Sequence, residues 1–252
     1  ALDDPLFIRS GRGVAPTARA EDLIVPIRRA LAEISAAIQP DSDFDPATAQ
    51  RQFNLHMFDT LEPIVVPHLV REAMSGPGVS FRLLLAPGSP VEDAVESGQA
   101  DIGVSISPQN RPNIEWEAVC PLDLVVIARK GHPQISGTIT EELYRSIGHV
   151  SLDQTLNVNA NAQKIHINRT LKRRDIVKVS RPSAIPATVS TTDLIGLINR
   201  SCAEVLADSH QLQILTAPFE LSSQVVHMIW HRSKTSDPAI AWLKDQIRTV
   251  LS

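Results

Sequence analysis

Small hydroxyl and amide side chains recur where the turns between strands and helices should fall. They are Asp59-Thr60-Leu61, Gly88-Ser89, Ser105, Ser151, Asn159 with Asn161, and Thr188. At a helix start such residues stand beside unbonded backbone N–H groups and the positive end of the peptide dipole. That setting suits a carboxylate or another small anion. The same residue types are good N-caps with no ligand present, so each is a binding candidate and a capping candidate at once. Asp59 pulls the other way. A carboxylate at the mouth of a binding site repels an anion unless a base neutralises it. The ligand is then neutral, or carries a group that donates to Asp59; capping alone is the alternative.

Catalytic groupings do not emerge. The eight histidines (His56, His68, His132, His149, His166, His210, His227 and His231) are scattered, with no H-E-x-x-H and no Cys/His cluster. His227 and His231 fall on a strand pattern and read as strand residues. His149 opens another strand, at the end that faces away from a ligand. Neither G-x-S-x-G nor G-x-x-x-x-G-K-[ST] occurs. No enzyme, metal site or cofactor is therefore expected. Cys120 and Cys202 sit among apolar residues and read as small buried hydrophobes in a reducing compartment. Lys164, Arg169, Lys172, Arg173, Arg174, Lys178 and Arg181 outnumber the one acid among them, Asp175, and read as a solvated helix face before they read as a DNA contact.

The elements that must position the hydroxyls follow from periodicity. Two hundred and fifty-two residues with 43% hydrophobic and 21% charged content make an ordinary globular chain with room for two modest domains. A net charge of −4 argues against nucleic-acid binding by bulk electrostatics. No apolar run reaches the ~20 residues that span a bilayer, and no signal sequence opens the chain; a cytoplasmic protein without membrane contact is expected. Strands are expected over 53–58, 79–86 and 100–106, with helices over 61–75 and 91–97. Ser89-Pro90-Val91-Glu92 resembles a capping box. Strands over 114–119 and 122–128 follow. The alternation then restarts, with strands over 149–152, 176–179, 194–198, 212–216 and 224–230 and helices over 160–174, 183–189, 201–207 and 238–251. Strands alternating with helices imply parallel sheets with right-handed crossovers. The fold class is α/β, with two Rossmann-like lobes joined by two crossover strands and a cleft between them, and a long helix ahead of both.

That helix follows a hairpin. Leu6-Phe7-Ile8 reads as a short strand and Gly11-Arg12-Gly13 as a tight turn with both glycines at positive φ. Thr17 is the N-cap of a helix whose Ala20, Leu23/Ile24, Ile27, Ala30/Leu31, Ile34 and Ile38 form an apolar seam. The seam must be covered by the rest of the chain or by a second copy, and Pro26 should kink it.

F-I-R-S-G-R-G-V-A-P-T-x-R-A running into a helix is similar to the wing and linker helix of LysR-type transcriptional regulators. A-V-E-S-G-Q-A-D-I-G-V is similar to their effector domains. Gly131-His132-Pro133, Trp230-His231-Arg232 and Asp237-Pro238 with Trp242-Leu243 resemble the branch that answers aromatic compounds. Asn199-Arg200 depart from the family, which often has proline after that strand. The resemblance implies a type 2 periplasmic-binding-protein-like fold. Residues 1–16 would be the remnant of a winged helix-turn-helix, 17–38 a linker and dimerisation helix, and 39–52 a hinge. Lobe one would take 53–126 and 227–252, and lobe two 127–226. It further implies a small aromatic or carboxylate-bearing effector in the cleft, held by the residues named first. Operator DNA would be met by the N-terminal domain, with Arg9 and Arg12 at phosphates, and the protein would be a homodimer or homotetramer. A solute-binding protein of a transporter shares the architecture and is the alternative.

Overall fold

The protein is described by a computed structural model, covering residues 2–11, 13–38, 44–74, 76, 78–84, 90–106, 108–153, 173–221 and 224–251. Strand β1 (Phe7–Ser10) pairs antiparallel with β2 (Gly13–Pro16). The turn between them uses Gly11 at φ 59°, a conformation that costs glycine nothing. Gly13, expected in the same role, is instead a strand residue opposite Ser10. Thr17 then hinges the hairpin to helix α1 (Ala18–Ile38). Its hydroxyl accepts from Ala20 N–H at 3.2 Å and donates to Asp4 at 2.7 Å. The helix runs unbroken through Pro26. Ile24, Ile27, Leu31 and Ile34, spaced by three and four, are 43–57% exposed along it.

Lobe one follows the expected alternation. Its elements are β3 (Arg51–His56), α2 (Glu62–Ala73), β4 (Val79–Leu84), α3 (Val91–Glu96), β5 (Ile102–Ser105) and β6 (Ile114–Leu122). Lobe two holds β7 (Leu124–Arg129), α4 (Glu141–Ser146), β8 (Gly148–Leu152), β9 (Arg174–Val179), α5 (Ala184–Ser190), β10 (Gly196–Asn199), α6 (Arg200–Leu206) and β11 (Leu212–Leu215). The chain then returns to lobe one as β12 (Gln224–His231) and α7 (Pro238–Leu251).

The two sheets have one plan. Lobe one is ordered β4-β3-β5-β12-β6, with β3, β4 and β5 parallel and β12 antiparallel. In lobe two β8 and β9 are parallel, and β7 runs against both β10 and β11. A parallel bridge from His149 to Ile195, with Val150 N–H donating to Ile195 O at 2.9 Å, joins these pieces. The resulting order, β9-β8-β10-β7-β11, repeats lobe one strand for strand. The chain passes between lobes at Asp123 and again between Leu215 and Gln224. The outward passage precedes the expected 126/127 boundary because Leu124 already pairs with Asn199 in lobe two. On the return, Gln224 pairs with Leu122, so β12 joins lobe one three residues earlier than expected.

Packing explains the C-terminal motif. Fully buried Phe53 stacks on Phe81 and on Trp242, with ring centroids 5.8 Å apart in each case. Asp237 accepts Ala239 N–H at 2.9 Å at the start of α7 and is held by Arg51 at 2.8 Å. Trp230 donates to Thr235 at 3.0 Å and lies under Lys244. Asp101 accepts Asn54 N–H at 2.7 Å and pairs with Lys234 at 2.6 Å. His132 accepts from Gln134 N–H. The residues of these motifs build the lobes rather than the cleft.

Candidate functional site

β12 enters lobe one from the hinge and runs against β5; β7 enters lobe two from the hinge and runs against β10. The carboxyl ends of the parallel strands in both lobes therefore point back to the hinge and the gap beside it, where ligands bind in open α/β sheets.

One side chain bridges that gap. Asp59, in the turn between β3 and α2, accepts the Ser183 hydroxyl at 2.6 Å and the Ser183 N–H at 3.2 Å, both on Oδ2. Ser183 is the N-cap residue of α5, so a lobe-one carboxylate occupies the amino end of a lobe-two helix. The expectation that Asp59-Thr60 caps α2 does not hold. Leu61 is the N-cap residue there and makes no side-chain cap, while Pro63, in the first turn, has no N–H to satisfy. The field of Asp59 is felt around it. Cys202 in the first turn of α6 is pushed up to about 11, by burial first and by Asp59 second. Glu62 is raised by burial and by Asp59, with Arg181 opposing.

At or near the strand ends that face the hinge, several buried polar atoms have no hydrogen-bond partner among the described residues: Asp59 Oδ1, Ser151 Oγ, Asn199 Oδ1, Gln224 Oε1 and both ring nitrogens of His56. Ser151, Asn199 and His56 are at most 8% exposed. An unmade hydrogen bond at a buried polar atom costs about 1–3 kcal/mol, so each of these atoms is a candidate to meet water or a ligand. His56 closes β3, and its pKa is lowered by burial, against its own backbone and Glu92.

The sequence candidates divide accordingly. Asp59 and Ser151 are among the unpartnered groups, and Thr60 is buried beside them. Ser105 ends β5 opposite His227. Leu61 is a core residue. Thr188 lies inside α5, not at its start, and its hydroxyl is committed to Ala184 O at 2.9 Å. Gly88, Ser89, Asn159 and Asn161 lie outside the described residues, as does Arg12. Arg9 is exposed on β1. Of the basic run, Arg173 pairs with Asp175 at 2.8 Å; the helix expected over 160–174 falls outside the described residues except at its end, where Arg174 opens β9. The sequence reading missed Ser183, His56, Asn199 and Gln224 as site residues. The matching position of each at a strand end or helix start of its lobe was the available signal.

Among the described residues no set of three His, Cys, Asp or Glu side chains could hold a metal ion, and no helix is long and apolar enough to cross a membrane.

Residues 46–252 match the family described as the LysR substrate binding domain. The chain is 27% identical over 246 residues to the HTH-type transcriptional activator NahR of Pseudomonas putida, covering 97% of this chain and 82% of that protein. It is 30% identical over 250 residues to Nodulation protein D 1 of a Bradyrhizobium species, covering 96% and 77%. In structure it resembles the probable transcriptional regulator PA0477 of Pseudomonas aeruginosa, with a TM-score of 0.74, 28% identity and coverage of 100% and 84%.

Proposed function

This chain belongs to the LysR-type transcriptional regulators, whose substrate-binding domain it carries, and from that premise we propose that a small effector binds between its lobes and sets its action on DNA. The observation that carries the reading is the Asp59–Ser183 bridge, with unpartnered polar atoms from both lobes at or near the strand ends that face the hinge. A ligand that satisfies those atoms binds one hinge geometry better than the other, and shifts the population by that difference in affinity.

The change is passed on through subunit packing. Residues 17–38 act as the linker helix, whose exposed Ile24, Ile27, Leu31 and Ile34 pair with the same seam of a second copy. Residues 1–16 act as the wing of a DNA-binding domain, with Arg9 and Arg12 toward phosphates. The protein works in the cytoplasm, where its operator is. It regulates rather than catalyses, as the names of its relatives support. The transporter reading shares the fold, but relatives named as transcriptional regulators align with 97–100% of this chain.

Calorimetric titration with candidate aromatic acids and phenols, run beside an operator footprint of the intact regulator, tests the coupling. The expected result is a saturable titration that changes the footprint. A ligand that binds in the cleft and leaves both footprint and subunit arrangement unchanged contradicts it.

A further inference from the structure

We infer that the effector presents an O–H or N–H donor to Asp59, and that a simple carboxylate is not the group recognised there; this rests on the reading of the cleft as the effector site. Asp59 Oδ2 is already used by Ser183, while Oδ1 is buried with no donor. A carboxylate oxygen can only accept, unlike an amide, which can turn to offer its nitrogen. Whatever group meets Oδ1 must therefore donate.

The local charge argues the same way. Glu62, three residues from Asp59, already feels that carboxylate as repulsive, with Arg181 opposing. An anion placed here adds a third negative charge beside these two. A hydroxyl or an ammonium group adds a bond without that repulsion, and bonds to a charged acceptor are the stronger ones. The amides of Asn199 and Gln224, whose oxygens are also unpartnered, can turn and so serve a donor or an acceptor. Ser151, nine-tenths buried and unpartnered, serves a donor or an acceptor equally.

Single-ring probes that differ in one functional group read this out in the intact chain. Catechol offers neutral O–H donors, benzylamine offers cationic N–H donors, and benzoate offers only acceptors. By calorimetry at millimolar probe, catechol or benzylamine should bind and benzoate should not; which of the two binds tells a hydroxyl from an ammonium. Asp59→Asn turns one acceptor into a donor. It should weaken the donor probe on the order of tenfold and admit benzoate. A chemical-denaturation midpoint of Asp59→Asn that matches the wild type guards against a variant that fails to fold. Benzoate binding to the wild type, or donor-probe affinity unchanged by Asp59→Asn, overturns the inference and leaves the cleft as an effector site. Binding of none of the three overturns both.

Discussion

At the residue scale the site is governed by one carboxylate and the groups that feel it. Cys202 sits close enough to Asp59, and deep enough, that its thiol is pushed up to about 11. A thiolate is the reactive form, so at pH 8 Cys202 should resist iodoacetamide in the folded protein and react only on unfolding. Peptide mapping reads this directly, and rapid labelling of the native chain contradicts it. His56 and His149 make the pH dependence. Burial lowers both below the ordinary 6.5. The unfolded chain then binds more protons than the folded one just below that value. Stability should hold above pH 6.5 and fall as pH drops through it toward the lowered folded values. Denaturant titrations of wild type and His56→Leu across pH 5–8 check this; the variant should show a shallower fall. Asp59 was singled out in the sequence as a carboxylate that either meets a donor or caps a helix. Its partner Ser183 was not, since it lies 124 residues away and meets Asp59 only in the folded chain.

At the scale of elements, periodicity carried most of the fold. Phe53, Leu55 and Met57 alternate along and just beyond β3 with side chains on the opposite face, and all three are buried. Less legible were the places where one element ends and another lobe begins. Leu124 and Gln224 both open largely apolar strands, and only pairing with Asn199 and Leu122 tells their lobes. The capping residues were misread for a related reason. Ser, Thr and Asp before a helix read as caps, yet Asp59 serves the helix opposite, and α3 has Pro90 as its N-cap residue while Glu92 accepts Gln109 N–H. Phe53→Ala removes the ring between Phe81 and Trp242 and should cost about 3–5 kcal/mol in chemical denaturation; a loss under 1 kcal/mol contradicts the packing account. The α1 seam makes its own prediction. Ile27→Asp with Leu31→Asp should weaken self-association by tenfold or more in sedimentation, since each apolar side chain contributes about 1.5–3 kcal/mol when fully buried. Unchanged self-association would move the dimer contact elsewhere.

For the molecule as a whole, the repeated strand order leaves two lobes whose binding edges face one hinge. Each lobe takes its antiparallel strand from the other lobe's last edge, so a change in the gap is felt in both sheets. The Asp59–Ser183 bridge reports the state of that gap, and the Ser183 amide proton is itself part of the bridge. Hydrogen–deuterium exchange of that amide, with and without a saturating effector, is the most direct measurement. The expected result is a change in Ser183 exchange on the order of tenfold, in either direction, while amides of β3 and β10 keep their protection. An effector that binds tightly and leaves Ser183 exchange unaltered would contradict binding between the lobes.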